Sequence, residues 1–220
     1  MKIGIVGNGI NPEYLKEYED EWELWSVNNL FHSFPSVKFS RWFEIHEFSL
    51  KKGIVLRRGR GTYGNETIDQ YLDGLNQLGI PVYMRQPRKT IKKSRTFPFE
   101  KLIKKYGSYF GCSFAWMVAF ALEEGADSIG LFGVTLDGNE YYYQRPSVEY
   151  MLGMAKGQGK EIYIDCTSQM LRANYAYAYK EDYSLIYALH GELTKELTLT
   201  IAAAVQKKID DIWAVTGRQI

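Results

Sequence analysis

A turn of two glycines around an asparagine, Gly7-Asn8-Gly9, follows a short apolar segment near the N-terminus. Glycine allows positive φ angles and lets a ligand approach the backbone closely. A helix predicted to begin after Asn11-Pro12 would point its first N–H groups and its positive end at an anion. The spacing differs from the GxGxxG of dinucleotide dehydrogenases, so that class is disfavoured. We therefore predict a site for a small phosphate-bearing ligand, above all a nucleotide. The alternative is a turn whose glycines serve geometry alone.

A carboxylate and an imidazole, Glu44 and His46, stand two residues apart at the end of a predicted strand. On an alternating strand they share one face with Trp42, while Phe43 and Ile45 lie on the other. A carboxylate beside an imidazole at the edge that carries the glycine turn could act as an acid and base pair. The alternative is a structural histidine at the strand end, with Glu44 exposed.

Further polar side chains are expected at the same edge. Asn28 follows the second predicted strand and could bind a base or ribose, or could serve only a turn. Ser113 is a natural N-cap that could also offer its hydroxyl to phosphate. Gln144, Arg145 and Glu149 follow a central strand, and an arginine there can bind phosphate through two N–H groups. A structural pair between Arg145 and Glu149 is the alternative.

Short apolar segments alternate with helical patterns along the first 165 residues. This alternation predicts an α/β fold, a Rossmann-like, doubly wound and mostly parallel sheet. The predicted strands are 2–6, 23–27, 37–44, 81–84, 128–132 and 161–164, and the predicted helices are 13–19, 66–78, 113–124 and 147–158. Residues 49–66 and 85–95 are predicted as loops because they are basic and show no apolar period.

We predict a nucleotide-binding domain over residues 1–170 and a helical appendage over 171–220. The appendage comprises a tyrosine-rich segment and a long amphipathic helix over 193–215, with Leu193, Leu197 and Ile201 on its apolar face. Such a helix could pack on the domain or form a homo-oligomer with a second copy, and the sequence leaves both open.

Composition narrows the function classes. The formal net charge is +1, so no electrostatic argument favours a nucleic-acid or anionic-membrane partner. The sequence has no apolar segment near the roughly 20 residues that span a bilayer, and no signal peptide pattern. Cys112 and Cys166 fit no metal spacing, and no metal site is predicted, although Asp137 and Glu140 could hold a divalent cation. We expect a cytoplasmic protein.

The order of the glycine turn, the strand-end Asn28 and the segment SFAWMVAFALEEGADSIGLFGV resembles two families over residues 1–165. These are the family 42 sialyltransferases and the archaeal 6-hydroxymethylpterin pyrophosphokinase-like proteins, which share one fold. Both hold a nucleotide, as a CMP-sugar or ATP, with the glycine turn and nearby Asn and Ser residues. The resemblance implies that role for Gly7, Asn8, Gly9, Asn28 and Ser113.

A second, closer resemblance rests on WFEIH and on EYYYQRPSVEYMLGMAKGQG. These motifs look like those of a group of uncharacterised bacteriophage proteins with a Rossmann-like core. The resemblance implies a phage or prophage origin, and hence the cytoplasm of an infected or lysogenic bacterial cell. It implies no particular activity.

Three hypotheses for function follow. The first is a glycosyl or phosphoryl transferase that uses a nucleotide or nucleotide-sugar, with Glu44 or His46 as the base and Arg145 stabilising the leaving phosphate. The second is a non-catalytic protein that sequesters a host signalling nucleotide. The third is a structural or interaction protein that works through its C-terminal helix. Binding of a nucleotide is favoured over any specific reaction.

Overall fold

The computed structural model describes residues 1–46, 48–51, 54–57, 67–138, 141, 143–168, 170–171, 200–201, 203–205 and 207–208. The chain divides into two compact units, Met1–Leu171 and Arg172–Ile220.

The first unit is built on a parallel sheet of seven strands. In chain order the strands of the unit are β1 (Lys2–Val6), β2 (Glu23–Val27), β3 (Arg41–Glu44), β4 (Phe48–Lys51), β5 (Ile54–Arg57), β6 (Val82–Met84), β7 (Ser94–Thr96), β8 (Ser128–Phe132) and β9 (Glu161–Ile164). The large sheet has the order β7-β6-β3-β2-β1-β8-β9, and β4 and β5 form a separate antiparallel pair. All neighbouring pairs in the large sheet are parallel, which confirms the predicted Rossmann-like α/β class.

The helices are α1 (Pro12–Lys16), α2 (Ile68–Gln77), α3 (Phe99–Tyr106), α4 (Ser113–Glu123) and α5 (Arg145–Gly157), with a short 3-10 turn at Leu30–His32. The start of α1 follows from its sequence, because Asn11 accepts a hydrogen bond from the Glu13 amide at 2.9 Å and Pro12 fits the first helical turn. Thr67 and Gln70 form a capping box at the start of α2.

Alternate strand residues pack on opposite faces of the sheet. Ile5 and Phe43 lie in a core with the apolar helix α4, whereas Trp42 and Val82 pack with Leu75 of α2 on the other face. A parallel sheet needs both faces covered, so its central strands β1, β2, β3 and β8 are almost continuously buried. Because all neighbouring strands are parallel, their carboxyl ends lie at one common edge.

Several predicted boundaries are wrong. The third strand begins only at Arg41, because the residues before it turn, with the Val37 amide donating to the Phe34 carbonyl at 3.3 Å. The loop predicted over 49–66 contains most of β4 and all of β5, while residues 58–66 lie outside the described residues. The loop predicted over 85–95 ends inside β7, a polar edge strand without a buried residue. Helix α3 was not predicted, although Phe99, Leu102 and Tyr106 recur at helical spacing and pack in the core.

In the second unit, residues 200–201, 203–205 and 207–208 are helical. The rest of the helix predicted over 193–215 lies outside the described residues. The homo-oligomer, and the division into a nucleotide-binding domain over 1–170 and a helical appendage over 171–220, remain predictions. Over the described parts of both units, the chain has no helix of the length and apolarity needed to cross a membrane.

Candidate functional site

A cavity of about 660 Å³ opens at the carboxyl ends of the central strands, and we call it the carboxyl-edge cavity. The segments after β1, β2, β3 and β8 line it together with the segments that lead into α4 and α5. Open α/β sheets bind ligands at this edge, where the strand order reverses beside β1. Most of the predicted site residues line this cavity, namely Gly7, Asn8, Gly9, Asn28, His46, Ser113 and Gln144.

The glycine turn is held against the turn after β8. The Gly7 amide donates to the Phe132 carbonyl and the Gly9 amide to the Gly133 carbonyl, both at 2.8 Å. A Cβ atom on Gly7 would lie 2.5 Å from the Gly133 oxygen, so a larger residue would force the two turns apart. Close backbone packing therefore explains both glycines. The amides of Gly7 and Gly9 donate hydrogen bonds within the protein. Neighbouring side chains therefore supply polar groups to the wall of the cavity.

Asn28 is fixed in an unusual backbone conformation at the end of β2. Its φ angle is 62°, which few residues other than glycine adopt, although asparagine tolerates it. Its amide donates to the Phe43 carbonyl at 3.0 Å, and its carbonyl accepts from the Trp42 indole at 2.8 Å. The side-chain oxygen is buried and has no hydrogen-bond partner. An unsatisfied buried acceptor costs about 1–3 kcal/mol, which a ligand donor could recover.

The predicted pair of Glu44 and His46 forms, but its members occupy different environments. His46 lines the cavity with its side chain 35% exposed, whereas Glu44 is fully buried behind it. The His46 Nδ1 atom lies 3.0 Å from Glu44 Oε1, and Tyr71 on α2 donates its hydroxyl to Glu44 Oε2. The alternative with an exposed Glu44 is therefore wrong. Glu44 contacts the imidazole and does not line the cavity.

Helix α4 begins beside the cavity. Cys112 occupies the N-cap position and Ser113 is the first helical residue, so the predicted N-cap role of Ser113 is wrong by one position. The Cys112 side chain does not meet the distance and angle of a capping hydrogen bond, and the first turn of α4 faces the cavity through Ser113 and Phe114. Burial raises the pKa of the Cys112 thiol, and the nearby amides of Ala115 and Phe114 oppose that shift.

The start of α5 is tied to the same wall. The Ser147 hydroxyl accepts from the Gly111 amide at 2.9 Å and donates to the Gln144 carbonyl at 2.7 Å. Ser147 is fully buried, so this link joins the segment before α4 to the segment before α5. The helix begins at Arg145, two residues before the predicted start, with proline in its first turn.

Arg145 and Glu149 are placed as a structural pair. Arg145 Nε donates to Glu149 Oε1 at 2.9 Å, one turn along α5, and the same oxygen accepts from the Leu171 amide at 3.0 Å. Neither residue lines the carboxyl-edge cavity. The geometry thus agrees with the alternative interpretation, in which Arg145 and Glu149 form a structural pair. A contact between Arg145 and phosphate stays a prediction.

Asp165, which the sequence did not single out, supports the cavity from behind. Its carboxylate accepts hydrogen bonds from the amide of Gly133 and, at 2.8 Å, from the amide of Thr167. The Gly133 carbonyl in turn holds the Gly9 amide. A lone aspartate after the last strand carries no sequence signal for this role, because the role depends on β9 lying beside β8.

The described residues contain no cluster of three or more His, Cys, Asp or Glu side chains that could hold a metal ion. Asp137 is described, but Glu140, its suggested partner for a divalent cation, lies outside the described residues.

Searches by sequence find neither a matching protein-family model nor a matching curated protein. Among solved structures, the sialyltransferase CST-II in complex with a trisaccharide acceptor and CMP is similar at a TM-score of 0.50 and 14% identity. The likeness covers 80% of this chain and 85% of that one. The sialyltransferase CstII from Campylobacter jejuni, in complex with the substrate analogue cytidine-5'-monophosphate, has a TM-score of 0.47 at 14% identity over 75% of this chain and 79% of its own. At such low identity the likeness shows the fold, in agreement with the resemblance to family 42.

Proposed function

We propose that this protein binds a nucleotide or nucleotide-sugar in the carboxyl-edge cavity and transfers a glycosyl or phosphoryl group from it to a hydroxyl acceptor. The observation that carries the proposal is that Asn28 lines this cavity while its side-chain oxygen is buried and has no hydrogen-bond partner among the described residues. A protein retains such a group at a cost in stability, and a ligand that donates to it explains why. The exocyclic amine of a base and the hydroxyl of a ribose are donors of this kind.

The size and lining of the cavity suit such a ligand. Its volume of about 660 Å³ lies within the range of small-molecule sites. Asn8, Ser113 and Thr135 are neutral polar residues along its wall, beside the first turn of α4, and the positive end of a helix favours an anion. Phosphate would therefore be held by neutral donors and a helix terminus.

The shared fold indicates which donors to test first. The similar sialyltransferase CST-II was solved with CMP and a trisaccharide acceptor, so CMP and CMP-sugars lead the panel. UDP-sugars, GDP-sugars and ATP complete it, because the fold alone does not choose among nucleotides. The phage or prophage origin that the sequence motifs imply remains part of the proposal.

His46 supplies the base for the transfer step. The acceptor hydroxyl loses its proton to the imidazole while its oxygen bonds to the anomeric carbon or phosphorus of the donor. The bond from that atom to the leaving phosphate oxygen breaks, and the electron pair departs with the phosphate. General base catalysis of this type contributes about 10²- to 10⁴-fold to the rate.

The first experiment measures nucleotide binding by thermal shift and calorimetry over this panel. A ligand at a hundredfold excess over its Kd should stabilise the folded protein by about 2.7 kcal/mol. Asn28→Ala should weaken binding, whereas the control Asn76→Ala should not, because Asn76 lies on α2 and its side chain accepts from the Lys92 amide at 3.0 Å. Failure of every nucleotide to bind would overturn the proposal.

Alkylation of the cysteines locates the bound ligand. Cys112 lines the cavity and Cys166 is exposed, so the two thiols provide a site probe and an internal control in one molecule. A bound nucleotide should slow alkylation of Cys112 and leave Cys166 unchanged, as measured by peptide mass spectrometry. Tight binding without consumption of any donor would contradict transfer and favour the non-catalytic binding hypothesis.

A further inference from the structure

We propose that Tyr71, Glu44 and His46 form a fixed hydrogen-bond chain that keeps the proton of neutral His46 on Nδ1 and presents Nε2 to the cavity as a proton acceptor. The consequence for substrate class rests on the proposed function: the second substrate is a neutral hydroxyl compound whose proton His46 removes. Glu44 is a positioning residue that never contacts substrate, and Tyr71 positions Glu44.

The distances define the direction of each hydrogen bond. An ionised carboxylate only accepts hydrogen bonds, so the atom that faces it must carry a proton. Glu44 Oε1 lies 3.0 Å from His46 Nδ1 and also accepts from the His46 amide at 3.3 Å. Nδ1 therefore carries the ring proton, and Nε2 of the neutral ring keeps its lone pair.

Tyr71 completes the chain from the opposite side. Its side chain is fully buried in α2, and its hydroxyl donates to Glu44 Oε2. Donors at both oxygens stabilise the charged form of a buried carboxylate and fix its rotation. The imidazole is thereby held from a residue 25 positions further along the chain, since α2 packs over the strand face that carries Trp42 and Glu44.

Glu44 and His46 differ in burial, and this difference determines which of them can reach a substrate. Glu44 has no exposed side-chain surface, whereas the His46 side chain is 35% exposed at the cavity. A group without access to the cavity cannot exchange a proton with substrate directly, so base catalysis falls to His46. The same division operates wherever a carboxylate orients an imidazole that activates a hydroxyl.

The direct test is the tautomer of His46, read from long-range ¹H–¹⁵N NMR correlations at a pH where the ring is neutral. The signal is assigned by its absence in His46→Ala. The Nδ1–H form is expected in the wild-type protein. Observation of the Nε2–H form would overturn the proposal, and this result needs no turnover assay.

Glu44→Met removes the acceptor that faces Nδ1 with little change in side-chain length. The expected signature is the appearance of the Nε2–H form, unchanged nucleotide affinity and a loss of turnover of about 100-fold or more. Glu44→Gln should instead keep the Nδ1–H form, because its amide oxygen accepts from the His46 amide and Nδ1 while its NH₂ donates to the Tyr71 oxygen. Glu23→Met is the matched control, because Glu23 lies on β2 and bonds to Trp25 and Arg41 away from the cavity.

The double variant Glu44→Gln/Tyr71→Phe tests the positioning role of Tyr71. Without the Tyr71 oxygen the amide NH₂ loses its acceptor and can turn towards Nδ1, so part of the Nε2–H form should appear and turnover should fall relative to Glu44→Gln. A purely structural role for Tyr71 requires the same tautomer in the double variant and in Glu44→Gln, and that result would overturn its assignment. Thermal unfolding verifies that each variant is folded.

The two proposals fail in different ways. If no nucleotide binds but His46 is in the Nδ1–H form and shifts to the Nε2–H form in Glu44→Met, the proposed function is wrong and the hydrogen-bond chain stands. If a donor is consumed at the wild-type rate by Glu44→Met, the hydrogen-bond chain is wrong and the proposed function stands.

Discussion

The two edges of the parallel sheet differ in how their polar groups are satisfied. At the amino edge, Arg41 donates to Glu23 at 3.0 Å and to Glu124 at 2.6 Å, and its guanidinium lies 4.9 Å from the Trp25 ring centre. The N-terminal amine pairs with Asp127 at the same edge. These charged groups therefore pair with one another within the protein.

The carboxyl edge shows the opposite arrangement. Asn28 has a positive φ and a buried acceptor without a partner, Leu136 has a φ of 47°, and both line the cavity. The imidazole of His46 is held from behind by Glu44 but remains open to the cavity. Under the proposed function, a bound ligand offsets the unpaired acceptor and the strained backbone at this edge. The two edges therefore predict different effects of substitution, on stability at the amino edge and on ligand binding at the carboxyl edge.

The largest expected effect is at the carboxyl edge. His46→Ala should lower turnover by about 10²- to 10⁴-fold, because the transfer loses its general base, while nucleotide affinity changes little. Steady-state kinetics with the donor found in the binding panel, together with calorimetry, separate the two quantities. Equal losses of affinity and turnover would make His46 a binding residue and would weaken the contrast between the edges.

At the amino edge the effect should appear in stability. Arg41→Met should lower the free energy of unfolding by about 2–3 kcal/mol, because it leaves two carboxylates without a partly buried partner. Urea denaturation measures this loss, and the nucleotide Kd of the folded protein should not change. Lys16→Met is the control, since its pair with Glu13 is exposed and solvent screens it. An altered Kd in Arg41→Met would show that the edges are coupled.

Asn28→Gly should change affinity and stability in opposite directions. Loss of the side-chain acceptor should weaken nucleotide binding about 5- to 30-fold, which corresponds to about 1–2 kcal/mol. Glycine accepts the φ of 62° without strain, so the free energy of unfolding should stay the same or rise by up to about 1 kcal/mol. Calorimetry measures the nucleotide affinity, and urea denaturation measures the free energy of unfolding. A variant that binds normally would refute the role given to Asn28.

The smallest effect concerns Tyr163 on the edge strand β9. A hydrogen bond with the Tyr18 hydroxyl, followed by burial, raises the pKa of Tyr163 to about 12. A raised pKa means that the folded state holds this proton more tightly, so the associated stability is present below about pH 10 and is lost between pH 10 and 12. Because Tyr163 is 38% exposed, that contribution is small. Tyr18→Phe should move the pKa of Tyr163 towards 10 in an ultraviolet titration, with no change in nucleotide binding.

Local pattern predicted most of the first unit. The strands β1, β2, β8 and β9 match their predicted bounds; β1, β2 and β8 are the short apolar runs typical of buried parallel strands. The strands β4 and β5 and the polar strand β7 fall in predicted loops. Helix α3 was missed although Phe99, Leu102 and Tyr106 recur at helical spacing. Strand periodicity also placed Glu44 and His46 on one face.

The candidate site was predictable in location and only partly in its contacts. Because Asn28 and His46 end neighbouring parallel strands, their meeting with the glycine turn follows from strand order. For Arg145 the sequence left two alternatives open, a contact with phosphate or a pair with Glu149, and the structure contains the pair. The missing partner of the Asn28 oxygen could not be foreseen, since it depends on every segment that packs around it.

Sequence alone determined the fold class and the edge of the sheet at which to look, because both follow from interactions between near neighbours in the chain and from strand polarity. Tertiary structure decided which polar groups find hydrogen-bond partners within the protein and which do not. Tyr71 holds Glu44, Asp165 holds Gly133, and the Asn28 side-chain oxygen has no partner among the described residues. These arrangements depend on contacts that α2, β9 and the strand ends make only once the chain has folded. Such pairings join residues far apart in the chain, so no local pattern encodes them.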